Sequence, residues 1–175
     1  MRVVIVTESF PPDVNGVAHS VVRVAEQLVR RGHEPLIIAP RPAGTYQDAY
    51  EYPVLRVRSI PLPGYPGFRL GLPGGVDAAL AASAPDVIHL ASPVFLGAWG
   101  ARAASRLGVP AVAVFQTDLP SYARAYRLGG LGEAVAWRWL RDVHGLCSRT
   151  LAPSTSTASG LVAHGMRDVW LWGRG

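Results

Sequence analysis

The chain contains no lysine; all 17 of its Lys-plus-Arg residues are arginine. That excludes a P-loop, whose lysine reaches the phosphates, and Schiff-base chemistry on a lysine amine. Cysteine is almost as scarce. Cys147 stands alone, so the chain has neither a disulfide framework nor a thiolate metal cluster, and a buried, inert thiol is its expected state. No apolar run reaches 18 residues, which leaves no helical membrane span. The N-terminus carries one Arg and a short apolar run that ends at Glu8 and Pro11-Pro12, unlike a signal peptide. The cytoplasm is the expected location. No D-x-D occurs, and no histidines and carboxylates share the spacing of a metal site. What remains is 175 residues, 49% hydrophobic and 17% charged, with net charge +5. This suits one soluble α/β domain with a real core. The arginines either favour phosphates and an anionic membrane face or are scattered solubilising charge.

Hydrophobic patterning alternates between strand and helix. Arg2 to Thr7 is a β-branched run, as expected of a strand buried on both faces of a parallel sheet. Gly16 to Arg31 reads as a helix, with Val17, Val21, Val24 and Leu28 on one stripe and Gly32 ending it. Glu34 to Ala39 is the next strand, completing a right-handed βαβ unit. A short strand, Val54 to Val57, precedes a long Pro/Gly stretch from Ser59 to Gly75 that reads as a loop. Further strands are expected at Val87–Leu90, Val109–Phe115, Thr150–Ala152 and Val169–Trp172. Helices are expected at Val76–Ala82, Val94–Leu107, Ser121–Arg127, Gly132–Leu146 and from Ser154 to Ala163. The fold class is therefore α/β, a Rossmann-like open parallel sheet with helices on both faces. Ligands bind such sheets beyond the carboxyl ends of the strands. Thr7–Gly16, Leu90–Pro93 and Gln116–Pro120 should converge there.

The first of these stretches, Thr7 to Ser20 (TESFPPDVNGVAHS), is the most informative. A strand, a turn and a helix start form either an anion seat, through unpaired N–H groups and the helix dipole, or an ordinary capped turn. Gly16 allows close backbone approach, and Asn15 is a helix cap. The turn lacks the G-x-G-x-x-G of a nicotinamide dehydrogenase or epimerase. His89, at the end of a buried strand, is either a hydrogen-bonded core residue or a site residue. Trp137, Arg138, Trp139 and Arg141, with Arg124 and Arg127 upstream, suit an anionic membrane surface. Val135, Trp139 and Val143 equally fit a core-facing stripe. Tyr65, Phe68 and Arg69 either gate an acceptor groove or lie on a surface loop without function.

Four colinear blocks, ESFPPDVNGVAHSVVRVAEQLVRRGHE, DVIHLASP, VFQTDLPSYARAY and RTLAPSTSTASGLVAHG, resemble the retaining GT-B glycosyltransferases of family 4. The likeness is strongest to α-mannosyltransferases of actinobacterial phosphatidylinositol mannosides and related glycolipids. In that family two Rossmann-like domains face each other, the first mainly binding the acceptor and the second the nucleotide-sugar. The resemblance implies that Asn15 and Gly16 stand where a glycine pair approaches the donor diphosphate, with the first glycine replaced. Asp13 and His19 fall on the acceptor side, where Tyr65 and Arg69 are the further acceptor-binding candidates. Gln116 stands where the family has a histidine that touches the transferred sugar. Glutamine keeps the hydrogen bonds but cannot become charged. Thr117 joins the donor-binding set, and Gln116 and Asp118 are the catalytic candidates. The family's H-x-H-x-P appears as His89, Ala91 and Pro93, without its second histidine.

The final LWGRG resembles the strand that enters the interdomain linker. The Arg/Lys pair that neutralises the leaving diphosphate belongs, in the family, to the domain beyond it. The resemblance thus implies that residues 1–175 are the acceptor-side domain, with the C-terminal nucleotide-sugar domain absent, and that the isolated chain is catalytically incomplete. It implies transfer of a hexose, mannose from GDP-mannose with retention, to a lipid or glycan acceptor. No metal or other cofactor and no nucleic-acid partner is implied. An anionic membrane surface is an implied partner, at the inner face of the plasma membrane. The alternative is a non-catalytic sugar- or lipid-binding module that works as it stands.

Overall fold

The computed structural model describes residues 1–62, 65–121 and 129–173, with backbone alone at 65–67 and 129. The sheet is built around strand β1 (Arg2–Val6), whose side chains from Val3 to Val6 are all buried. Its neighbours are β2 (Glu34–Pro40) on one side and β6 (Val87–Leu90) on the other. Bonded on both edges and covered on both faces, β1 can be uniformly apolar. With β3 (Val54–Val57), β7 (Ala111–Val114), β8 (Arg149–Ala152) and β9 (Val169–Leu171), the strands form one parallel sheet of order β3-β2-β1-β6-β7-β8-β9. The strand order reverses between β1 and β6, which opens a crevice above their carboxyl ends.

Helix α1 (Gly16–Arg30) covers one face through Val21 and Ala25, against Val3, Ile5, Ile37 and Ala39. The opposite face, with Val4, Val6, Ile38, Ile88, Leu90 and Ala113, lies under α2 (Val76–Ser83) and α3 (Leu96–Leu107). Helices α4 (Gly129–His144) and α5 (Thr155–Ala163) close a smaller cluster of Phe115, Leu140, Ala152, Leu161 and Met166. The helix expected over Ser121–Arg127, with Arg124 and Arg127, lies outside the described residues beyond Ser121.

The stretch from Ser59 to Gly75 is not the loop that its composition suggests. It folds as an antiparallel ribbon, β4 (Ser59–Leu62) against β5 (Tyr65–Gly71). A two-stranded ribbon leaves one edge of each strand unpaired, so Pro61 can sit there without breaking a ladder. Arg69 holds the ribbon, donating to the Ser59 hydroxyl (2.8 Å), the Ser59 carbonyl (3.0 Å) and the Arg41 carbonyl (3.1 Å).

The start of α3 depends on a contact that only glycine permits. A Cβ on Gly97 would overlap the Ser92 carbonyl oxygen, a backbone atom that cannot swing aside. Gly97→Ala is therefore expected to lower stability by about 1–3 kcal/mol, read as a drop in the urea midpoint at constant m-value. An unchanged midpoint would mean that the Ser92 turn relaxes freely.

Candidate functional site

Three loops meet above the crevice. The first leaves β1 through Thr7, Glu8 and Ser9, which are polar yet no more than 3% exposed. The Thr7 hydroxyl donates to the Ser9 carbonyl (2.8 Å) and accepts from the Ser9 N–H (3.2 Å). The Ser9 hydroxyl donates to Asp13 Oδ2 (2.8 Å) and accepts from Asn15 Nδ2 (2.7 Å). Asp13, Asn15 and Ser9 thus form one relay that fixes the turn. Arg56 braces it from outside. Its guanidinium donates to the Pro11 and Pro40 carbonyls, pairs with Asp48 and lies over the Phe10 ring at 5.1 Å. Arg56 escaped the sequence reading because its partners are 8 to 45 positions away.

Asn15 caps α1 as expected. Its Oδ1 accepts from Val17 N–H and Ala18 N–H, both at 3.0 Å. This narrows the anion seat, since two of the first-turn donors are already used. Gly16 remains open. It is exposed, its φ is not in the left-handed region, and a Cβ there would meet nothing within 4 Å. Nothing among the described residues requires glycine at that position. His19, one turn further along α1, is exposed.

The second loop follows β6. The Ser92 hydroxyl lies 3.3 Å from the Thr117 hydroxyl. The third follows β7, where Gln116 Nε2 donates to the Ala91 carbonyl (3.1 Å). Asp118 turns toward its own chain. Its carboxylate accepts from the Ser121 N–H (3.0 Å) and from the Ser121 hydroxyl, an N-terminal capping pattern. The structure thus brings Gln116 and Thr117 beside the second loop and links Asp13 with Asn15. Arg69 is committed to the ribbon, and the Tyr65 side chain lies outside the described residues.

Glu8 is the residue that sequence reasoning passed over. Its Oε1 accepts from the N–H groups of Phe95 (2.7 Å), Leu96 and Gly97 (3.2 Å), at the start of α3. Burial pushes its carboxyl up to about 7, against the opposing pull of these three donors. Its one sequence signal was an acidic residue set directly after a fully buried strand.

His89 is half-buried. It lines an apolar groove beside α1 with Val3, Val24, Leu28 and Val112, and stands edge-on to Trp172 at 6.0 Å. Trp137 and Trp139 also turn inward. Trp137 stacks on His164 at 3.7 Å, and Trp139 donates to the Val94 carbonyl at 3.0 Å. The expected Val135–Trp139–Val143 stripe is incomplete, because Val143 is buried while Val135 is 59% exposed. Among the described residues no group of three His, Cys, Asp or Glu side chains could hold a metal ion. No helix among them is long and apolar enough to cross a membrane.

Residues 14–175 match Glycosyltransferase Family 4. Over its whole length the chain is 48% identical to a GDP-mannose-dependent alpha-mannosyltransferase of Mycobacterium tuberculosis, of which it covers 47%. It is 42% identical to the enzyme of the same description from Corynebacterium glutamicum, covering 43% of that protein. The chain spans about half the length of the curated relatives it matches. Among solved structures, the UDP-GlcNAc 2-epimerase from Methanocaldococcus jannaschii superposes with a TM-score of 0.64 at 16% identity, over 99% of this chain and 45% of that one. That likeness concerns the fold alone.

Proposed function

This chain belongs to glycosyltransferase family 4, and from that premise we propose that it forms the acceptor-side half of a retaining hexosyltransferase. The parent transfers mannose from GDP-mannose to a hydroxyl of a lipid or glycan. The observation that carries the reading is Gly16, an exposed helix-start glycine that the fold itself does not need. Its open surface suits a donor phosphate lying against the backbone, with the Gly16 N–H and the helix dipole facing the charge. Gln116 and Thr117 form the adjoining wall for the transferred sugar, and Asp13 and His19 face the acceptor.

Transfer builds negative charge on the departing diphosphate, and catalysis comes from groups already aimed at that charge. The chain has no lysine, and Arg56 and Arg69 are committed to Asp48 and to backbone carbonyls. We place the neutralising cations on a second domain of the parent, as the resemblance to the two-domain glycosyltransferases implies. A membrane-bound acceptor is supported by the outer side of α4, where Leu131 (79% exposed) and Val135 stand beside the exposed Arg138. These residues, rather than Trp137 and Trp139, are the membrane-facing candidates.

The test supplies the two-domain parent with GDP-mannose and acidic phospholipid vesicles containing a glycolipid acceptor. Mannose is expected in the lipid-extractable fraction with its anomeric configuration retained, while the 175-residue chain alone turns nothing over. Turnover by this chain alone, or inversion in the product, would overturn the reading.

A further inference from the structure

Helices α1 and α3 both begin at the crevice, and the protein treats their N-termini differently. At α1 the cap is a local amide, Asn15, and Gly16 is left open. At α3 the cap residue Phe95 has no side-chain hydrogen bond of its own. Three N–H groups there point at one carboxylate oxygen delivered from the loop after β1, 87 to 89 positions away in sequence. Three convergent backbone donors at a helix start are the arrangement that otherwise receives a phosphate or sulfate.

Glu8 is built for this place. It is 2% exposed, and its second oxygen, Oε2, is buried with no hydrogen-bond partner among the described residues. Among the described residues no cation is paired with it; the opposing charge is the α3 terminus itself. Of the residues on either side of Glu8, Thr7 bonds Ser9, and the Ser9 hydroxyl bonds Asp13 and Asn15. The Glu8 side chain therefore joins that relay to the second loop.

We propose that Glu8 is a positioning residue, an internal anion that occupies the start of α3, holds the first loop against the second and keeps external oxyanions away from that terminus. The consequence for the site, which rests on the glycosyltransferase reading, is selectivity of place. With α3 filled, the start of α1 at Gly16 is the one of these two termini left open to a donor phosphate.

The occupancy itself can be tested without any transfer reaction. The 175-residue chain and its Glu8→Ala variant are titrated with inorganic phosphate while Tm and the amide signals of Phe95, Leu96 and Gly97 are followed. Phosphate is expected to leave these signals unmoved in the wild type. In Glu8→Ala it should shift them and recover part of a lowered Tm. A wild type whose Phe95–Gly97 amides respond to phosphate, or a Glu8→Ala variant as stable as wild type and silent to phosphate, would overturn the assignment. Should Glu8→Ala fail to fold, Glu8→Gln keeps the shape and one acceptor oxygen. Measured above pH 7, where the wild-type carboxyl is ionised, its Leu96 and Gly97 amide protons should move upfield, because a neutral oxygen is the weaker acceptor; unmoved signals would again overturn it. In the two-domain parent, Glu8→Gln should raise KM for the nucleotide-sugar more than it lowers kcat. Equal loss in both, with the phosphate results intact, would retain Glu8 at α3 and remove its bearing on donor binding. A parent with no transferase activity would sink the functional reading and leave the phosphate experiment standing.

Discussion

Gly16→Val is expected to leave the chain folded and to cost the parent enzyme about 10²–10³ in kcat/KM, the scale of losing one backbone donor to a developing charge. The two halves of this expectation come from different observations. A Cβ at Gly16 meets no atom within 4 Å and the backbone is not left-handed, so a larger side chain finds room. Glycine in a helix is also worth about 0.5–1 kcal/mol less than alanine. Gly16→Ala should therefore hold Tm or raise it slightly. The penalty appears only when a phosphate must approach the backbone, because a side chain at that point stands between the ligand and the N–H. Most substitutions that abolish activity also destabilise; one that separates the two identifies a ligand contact. Tm is measured on the 175-residue chain and kinetics on the two-domain parent. Unchanged kinetics for Gly16→Val would remove the turn from the donor site. Loss of folding would show that the glycine serves the fold.

How much of this could be read from the sequence follows the range of the interactions. The buried strands and the α1 stripe were legible because burial on both faces, or on one helical face, leaves a periodic trace. Asn15 was legible as a cap because its acceptor serves N–H groups two and three residues on. Asp118 capping Ser121 lies within the same reach, but the family resemblance drew attention to the carboxylate as a catalytic candidate instead. The β4–β5 ribbon was missed because prolines at its edge hide the alternation of a strand. Trp137 and Trp139 carried an ambiguous signal, since an aromatic residue at a membrane surface and one packed on a histidine have the same spacing. Glu8 and Arg56 were invisible for a further reason. Each acts on backbone atoms tens of residues away, and only the closed sheet brings those atoms together.

Acid should unfold this protein sooner than its composition suggests, and Glu8 should soften the early part of the loss. His144 is 4% exposed, with Nδ1 2.9 Å from the Thr150 hydroxyl and Nε2 buried without a partner among the described residues. Among the described residues no carboxylate pairs with it, and burial pushes it down to about 4; burial does the same to His89 in its apolar groove. The folded state therefore resists protons that the unfolded chain accepts near 6.5. Each histidine contributes stability present above pH 6.5 and lost as pH falls toward 4. The scale is about 3 kcal/mol for His144 and less for His89, which keeps partial exposure. Together these are a large share of the roughly 5–15 kcal/mol that holds a domain folded.

Glu8 has the opposite sign. Its carboxyl is raised to about 7, so its contribution is full below 4.5 and lost as pH rises through 7. Between pH 6.5 and 4.5 the carboxyl and one histidine offset each other, and the second histidine sets the net decline. Urea midpoints of the wild type should fall moderately from pH 7 to pH 5. Glu8→Gln cannot take up the compensating proton, so its midpoint should fall more steeply over the same range. His144→Gln should flatten the wild-type decline. Equal slopes for wild type and Glu8→Gln would show that the Glu8 carboxyl stays in the ordinary carboxylate range. A midpoint independent of pH in both would show that the two histidine rings reach solvent when charged.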